Sequence, residues 1–155
     1  MRVFIESVAG SKQKHIYNEK TLLLKEIIQV TRNYPYPYGF IIDTNSGDGA
    51  NLDCFVLTKK KLLVGEIYDV LAIGYMEQFE TRNQSTIEDH NILATFPDEH
   101  IELTIDIKQK IVEFISYVWD HRAGKKVEVG QFFNKQKAEA LLTKCATDNI
   151  ILDNE

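Results

Sequence analysis

The chain has 155 residues, of which 44% are hydrophobic and 26% are charged. This length favours a single domain over residues 1–155, because one hydrophobic core usually organises about 100–200 residues, and the composition excludes collagen-like, disordered and coiled-coil proteins. There are 18 basic and 23 acidic residues, which give a formal net charge of −5. An acidic excess disfavours a nucleic-acid partner, whereas a divalent-cation site requires local carboxylates.

The compartment is predicted from the cysteines and from the apolar pattern. Cys54 and Cys145 show no CxxC spacing, so we expect buried free thiols in a reducing cytosol. The opening sequence MRVFIESVAG lacks the basic start and long apolar run of a signal peptide. No stretch approaches the roughly 18 consecutive apolar residues of a membrane span. We therefore expect a cytoplasmic protein with no membrane partner.

Short segments rich in branched and aromatic residues dominate the first two thirds of the chain and predict strands. Gly, Asn and Asp turns separate these segments. This spacing favours a closed or partly closed barrel over alternating βαβ units. In chain order, the predicted strand segments are 3–5, around 17, 22–30, 38–42, 54–58, 67–74 and 91–96, followed by a short strand over 126–129.

The last third changes to a helical period. Apolar residues recur at three- and four-residue intervals between positions 107 and 118, which predicts an amphipathic helix. Thr104 or Asp106 is its expected start and Gly124 its expected stop. A second helix is predicted to begin near Asn134, a good capping residue. The residues therefore predict a barrel-like body with two helices packed on it.

The segment over 34–57 carries the clearest chemical signal. An aromatic and proline-rich entry leads into a strand, then a Gly/Asn/Asp loop in which Asp48 and Asp53 are five positions apart, then another strand. Such a loop can deliver carboxylates and carbonyls to one Mg²⁺ or Ca²⁺, although the same residue types also form plain turns. An EF-hand starting at Asp43 is excluded, because Asp48 stands where Gly is required and Cys54 where Glu is required.

These residues resemble a known family. YPYPYGFI followed by SGDGANLDCFVL is similar to the soluble, metal-dependent inorganic pyrophosphatases of the OB-like barrel type, which carry an aromatic-Gly-aromatic strand before a D-G-D-P-x-D-x-x-V motif. Four further segments resemble that family in the same order: VFIE at 3–6, KHIYN at 14–18, EDHNILA at 88–94 and GKKVEVGQF at 124–132. The resemblance implies a mainly β, α+β fold: an OB-like five-stranded β-barrel with additional short strands and two C-terminal helices.

The resemblance also implies a function. It is the Mg²⁺-dependent hydrolysis of inorganic pyrophosphate to two phosphates, with Mn²⁺ as the alternative cofactor. Alternatively, the chain is a pyrophosphatase-fold protein that binds or hydrolyses another small phosphate compound, or that has lost catalysis. The implied partners are this small phosphate substrate and further copies of the chain in a homo-oligomer.

Site residues follow from the resemblance position by position. Asp48 and Asp53 are the implied catalytic carboxylates, while Lys14, Tyr38 and Tyr117 are the implied substrate-binding residues. One further metal ligand is assigned to Glu80, with Glu77 as the alternative. The full set of implied metal ligands is Asp48, Asp53, Asp89, Glu6 and Glu80.

Several positions depart from the family pattern. Ala50 stands where the family places the carboxylate that deprotonates the attacking water, so the general base is left unassigned. Glu26 replaces an expected basic residue, although Lys25 adjoins it. Asn91 replaces a lysine, and Val118 with Trp119 replaces a Tyr-Lys pair. We therefore expect slow hydrolysis. Trp119 itself is predicted to cover the flank of the barrel or an oligomer contact.

Overall fold

The computed structural model describes residues 1–47, 49–120 and 124–147. Ten strands and two helices form within these ranges. They are β1 (Arg2–Ser7), β2 (Gln13–Tyr17), β3 (Leu24–Gln29), β4 (Tyr38–Ile41), β5 (Asp53–Val56), β6 (Ile67–Asp69), β7 (Leu71–Arg82), β8 (Ser85–Glu88), β9 (Asn91–Thr95), α1 (Ile105–Tyr117), β10 (Lys126–Asn134) and α2 (Lys135–Cys145).

The strands form one large sheet and one separate hairpin. The large sheet has the order β10-β7-β9-β5-β4-β1-β6, with β8 paired to β7, and β2 pairs with β3. β5 and β9 run parallel, and the other pairs are antiparallel. The predicted mainly β fold with two C-terminal helices is confirmed. Neither helix in the described ranges has the length and apolar character needed to span a membrane.

Both faces of β5 are buried, which explains why its sequence is a continuous apolar run. Side chains alternate between the two faces of a strand. Cys54 and Val56 therefore pack in one core with Cys145 of α2, whereas Phe55 packs in a second core with Ile111 of α1. The prediction for the thiols is confirmed in this respect: both are free and buried.

Gly39 brings β1 and β4 close together. A Cβ atom at this position would lie only 1.8 Å from the carbonyl oxygen of Phe4, so no larger residue fits without moving a strand. This close approach explains the aromatic-Gly-aromatic pattern of β4. It also fixes the adjacent Tyr38, whose side chain faces the α1 core.

α1 starts as predicted but ends earlier than predicted. The side chain of Thr104 caps its first turn. The last helical residue is Tyr117, seven residues before Gly124. The hydroxyl of Thr31 donates to the carbonyl oxygens of Tyr117, at 2.7 Å, and Val118, at 3.0 Å. These bonds satisfy carbonyls that the end of a helix leaves unpaired, and they come from a distant part of the chain.

α2 and β10 also extend the predictions. The side chain of Asn134 accepts a hydrogen bond from the backbone N–H of Lys137, at 3.1 Å, which confirms Asn134 as the N-cap of α2. β10 is longer than the predicted strand over 126–129 and continues to that cap. It therefore delivers α2 directly onto the sheet, where α2 packs against β7 and β10.

The predicted strand over 67–74 is in fact β6 and the first part of a long β7. The residues that follow Met76 form a hairpin of β7 and β8. Its two-residue turn consists of Asn83 and Gln84, with φ angles of 50° and 69°, as hairpin turns of this length require. The hairpin places Gln78 of β7 beside Asp89.

Candidate active site

A cavity of about 240 Å³ lies beside α1. Its aromatic and aliphatic walls come from the same core that α1 covers. Its other walls carry charges of both signs, drawn from five different parts of the chain. Its lining residues include Lys14, Glu19, Tyr34, Tyr38, Ala50, Asp53, Gln78, Glu80, Arg82, Asp89, Phe114, Trp119 and Lys125.

Asp53 and Asp89 meet in this cavity. Asp53 begins β5 two residues before Phe55, so both side chains face the α1 side of the sheet. Both carboxyl groups line the cavity, and burial, reinforced by the charge of Asp89, raises the pKa of Asp53 well above its usual value. Two neighbouring half-buried carboxylates repel each other when both are ionised, and a bound cation relieves that repulsion. Oxygen ligands of this kind fit Mg²⁺ or Mn²⁺.

Asp48, the third implied ligand, lies outside the described residues. Within the described ranges, no three His, Cys, Asp or Glu side chains come close enough to hold a metal ion together. A three-carboxylate site thus depends on Asp48 and stays a prediction.

A pair of buried amides fixes Asp89. Nε2 of Gln78 donates to Oδ2 of Asp89, at 3.4 Å, and Nδ2 of Asn91 donates to Oε1 of Gln78, at 2.6 Å. The backbone N–H of Asp89 also donates to the carbonyl oxygen of Gln78, at 2.8 Å. Asn91, which stands where the family pattern has a lysine, therefore supports Gln78. No motif in the sequence singled out Gln78.

Glu6 and Lys14 form an electrostatic pair, of which Lys14 lines the cavity. Glu6 is buried in β1 and is not among the described residues that line the cavity. Burial raises the pKa of Glu6 to about 7, opposed by the charge of Lys14 and reinforced by that of Glu19. Burial favours the neutral form of Lys14, but the negative charges around it, chiefly Glu6, outweigh burial and raise the pKa of Lys14. Lys14 therefore presents a permanent positive charge to the cavity.

Tyr38 occupies the cavity as predicted. Its side chain is buried, and this burial, with the charges of Asp53 and Asp89, raises its pKa well above the usual value. The phenol therefore keeps its proton and can act only as a neutral hydrogen-bond donor or acceptor. The ammonium group of Lys14 lies 5.5 Å from the centroid of the Tyr38 ring.

Tyr117 lies outside the cavity, contrary to its implied role, and Trp119 lies inside it. Tyr117 is 47% exposed, and the guanidinium of Arg32 lies 5.3 Å from its ring centroid. The helix ends at this residue, so the chain turns inward through the buried Val118 and carries Trp119 into the cavity. The expectation that Trp119 covers an outer flank or an oligomer contact is corrected accordingly.

The alternation of β7 distinguishes Glu80 from Glu77. A bulge between Ala72 and Gly74 shifts the register of β7, and beyond it Gln78 and Glu80 lie on the same face as the cavity. Glu77 points to the other face, where its Oε1 accepts a hydrogen bond from the backbone N–H of Gln131, at 3.1 Å. Of the two alternatives, the structure brings only Glu80 into the cavity.

Lys125 and Arg82 add positive charges that sequence reasoning missed. Nζ of Lys125 lies 3.4 Å from Oε1 of Glu80, and Nε of Arg82 donates to the same oxygen. Burial lowers the pKa of Lys125, with Glu80 acting in the opposite direction and Arg82 adding to the decrease. The available signal was the lysine directly after Gly124 in the resembling segment, to which no role was assigned.

Glu19 is a further acidic group at the cavity. Its Oε1 accepts a hydrogen bond from the backbone N–H of Asn51, at 2.8 Å, next to Ala50. Ala50 itself lines the cavity with a methyl group. The carboxylate in this part of the site therefore comes from Glu19, in the turn after β2, and not from position 50.

The fold and the cavity together define a mainly β protein whose site combines neighbouring carboxylates with cationic groups. More particularly, a sequence model of the inorganic pyrophosphatase family matches residues 3–149, and the chain belongs to that family. The interpretation of residues 1–155 as one domain stays a prediction.

Individual relatives agree with this assignment. The inorganic pyrophosphatase of Nanoarchaeum equitans is 32% identical over 157 residues, which cover 94% of each protein. That of Rickettsia conorii is 30% identical over 134 residues, which cover 79% of this chain and 75% of the relative. Among solved structures, the inorganic pyrophosphatase of Coxiella burnetii shares the fold with a TM-score of 0.82 and 24% identity, covering 94% of this chain and 92% of that one.

Proposed function

We propose that this chain hydrolyses inorganic pyrophosphate to two phosphates and needs a divalent cation, Mg²⁺ or Mn²⁺, to do so. The observation that supports the proposal is that Asp53 and Asp89 line one cavity together with Lys14. Paired carboxylates suit a cation, and fixed positive charge suits a phosphate anion.

The roles of the residues follow from their surroundings. Asp53 and Asp89, together with Asp48, would hold the metal ion. When bound, such an ion supplies positive charge to the phosphate oxygens and lowers the pKa of a coordinated water. Lys14 provides a lasting positive charge, and Tyr38 provides a neutral hydroxyl donor for a phosphate oxygen.

We expect this chain to hydrolyse pyrophosphate more slowly than other members of the family. Position 50 carries no carboxylate, and losing a general base commonly lowers a rate by about 10²–10⁴-fold. Asn91 supports Gln78 and brings no charge to the phosphates. Slow turnover thus remains our prediction for this chain.

Phosphate release from pyrophosphate, with Mg²⁺ and with a chelator, tests the proposal. We expect metal-dependent release that Asp53→Asn abolishes. Asp69→Asn is the matched control, because Asp69 is an exposed residue of β6, and it should leave release unchanged. No metal-dependent release from the unmodified chain at neutral or alkaline pH would refute the proposal.

A second candidate is hydrolysis of another small phosphate compound. The methyl group of Ala50 in the cavity wall favours it, since an altered wall suits an altered substrate. A panel of phosphate monoesters and nucleoside polyphosphates, compared with pyrophosphate at equal concentration, separates the two. A higher kcat/KM for one of these compounds would identify that compound, and not pyrophosphate, as the preferred substrate.

The homo-oligomer implied by the family resemblance stays a prediction, which light scattering can test.

A further inference from the structure

We propose that Lys125 binds a phosphate group of the substrate, and that Glu80 is the positioning residue that holds Lys125 in place rather than a ligand of the metal. This inference rests on the proposed pyrophosphatase function and deepens it. It names the group that supplies positive charge where the family pattern at Asn91 and Trp119 is broken.

Lys125 is held inside the cavity by two contacts. Only 14% of its side chain is exposed, and its ammonium lies 4.4 Å from the centroid of the Trp119 ring, a cation–π contact. A buried ammonium is costly unless it is paired, and Glu80 supplies the partner at 3.4 Å. Lys125 is therefore fixed in the cavity rather than free to extend into solvent.

Glu80 is engaged by two cations. Its side chain is 4% exposed, and its Oε1 accepts from Nε of Arg82 while it lies 3.4 Å from Nζ of Lys125. A third positive charge on this carboxylate would have to displace or repel the first two. Asp53 and Asp89 differ from Glu80, because they line the same cavity as two neighbouring carboxylates, and carboxylate oxygens are the ligands that Mg²⁺ prefers. By this geometry, Asp53 and Asp89 are the carboxylates that bind the metal, and Glu80 is the carboxylate that holds Lys125.

Lys14 and Lys125 share one aromatic partner. The ammonium groups lie 5.6 Å and 4.4 Å, respectively, from the ring centroid of Trp119. The ring contacts two positive charges that repel each other in one cavity. Burial lowers the pKa of Lys125 against the effect of Glu80, and the charges of Arg82 and Lys14 add to the decrease. A substrate with two linked phosphate groups would relieve that repulsion. Trp119 thus takes part in spacing the two lysines.

Removing the ammonium of Lys125 tests the first half of the proposal. Calorimetric titration with inorganic phosphate in the presence of Mg²⁺ measures affinity without turnover. We expect Lys125→Met to weaken phosphate binding about tenfold or more, as for loss of a charged hydrogen bond, and to raise KM for pyrophosphate in parallel. Lys125→Arg should retain most of the affinity. Lys126→Met is the matched control, because Lys126 is 72% exposed and pairs with Glu128 on the surface.

Neutralising Glu80 tests the second half. We expect Glu80→Gln to weaken phosphate binding and raise KM, while Mg²⁺ affinity of the phosphate-free protein stays within about twofold. A metal ligand would instead lose at least about tenfold in Mg²⁺ affinity. In the double variant, Glu80→Gln should add little to Lys125→Met, since residues that act together are not additive. Glu128→Gln, at an exposed site, is the control.

The outcomes are distinguishable. Unchanged phosphate affinity in Lys125→Met, or a selective loss of Mg²⁺ affinity in Glu80→Gln, overturns this inference. Absence of Mg²⁺-dependent hydrolysis by the unmodified chain overturns the proposed function, yet the phosphate titrations still decide the role of Lys125. Thermal unfolding of every variant identifies misfolding, and Lys125→Arg keeps the test valid if Lys125→Met fails to fold.

Discussion

Glu6 should make the metal-free protein less stable as the pH rises through the weakly acidic range. Burial raises its pKa from 4.5 to about 7, with Lys14 opposing and Glu19 reinforcing this increase. Below pH 4.5 the carboxyl is protonated in both the folded and the unfolded chain. Between pH 4.5 and about 7 the unfolded chain loses the proton first, so the folded state loses stability with rising pH.

The size of this effect follows from the same numbers. One pKa unit corresponds to about 1.4 kcal/mol, so the full loss is about 3 kcal/mol once the pH is above the folded-state pKa. Glu6→Gln removes the titration and should remove the loss. Because Gln also leaves Lys14 without its negative partner, the absolute stabilities of the two proteins differ for a second reason. Their difference as a function of pH isolates the carboxyl.

Urea unfolding in a chelator, from about pH 4.5 to about pH 8, provides the measurement. The free energy of unfolding of the unmodified chain, minus that of Glu6→Gln, should fall by about 3 kcal/mol across this range. Glu66→Gln is the control, because Glu66 is exposed. The free energy of unfolding of the unmodified chain, minus that of Glu66→Gln, should not change with pH. A change of less than about 1 kcal/mol for Glu6→Gln would show that burial of this carboxyl does not have the assigned consequence.

Three further predictions concern the cavity. Ala50→Asp should raise kcat for pyrophosphate by about 10²-fold or more; an unchanged kcat in phosphate-release assays would mean that another group, such as Glu19, acts as the base. Asp53→Asn should raise the midpoint of thermal unfolding in a chelator, because it removes the repulsion with Asp89, and should abolish the additional stabilisation by Mg²⁺; a lower midpoint in chelator contradicts this. Tyr117→Phe should leave kcat/KM within about twofold, and a large loss would place Tyr117 at the substrate.

Local sequence signals predicted much of the fold. The apolar run over 54–57 is recognisable as a strand because both of its faces are buried, and Thr104 and Asn134 are recognisable as caps because their side chains bond the first helical turn. The end of α1 was not predictable in this way. Thr31, more than eighty positions away in sequence, supplies the bonds that end the helix, and no local pattern near Gly124 contains that information.

The family resemblance assigned Lys14, Tyr38, Asp53 and Asp89 to the site, and all four line the cavity. In β7, however, the bulge near Gly74 shifts the register, and a shift of one residue exchanges the two faces of a strand. The choice between Glu77 and Glu80 depended on this bulge, because the sequence alone does not reveal where β7 changes its pairing with β9.

The loss of lysine at position 91 and the presence of Trp119 suggested a cavity with too little positive charge. The structure gives a different balance, because Lys125 enters from the start of β10 and Trp119 contacts its ammonium group. Such a lysine can be buried only beside a carboxylate, which explains why Glu80 is also buried. Substituting Glu80 leaves the ammonium of Lys125 without its carboxylate, whereas substituting Lys125 leaves Glu80 paired with Arg82. Lys125, held by Glu80, therefore brings a positive charge to the cavity although positions 91 and 119 carry no lysine.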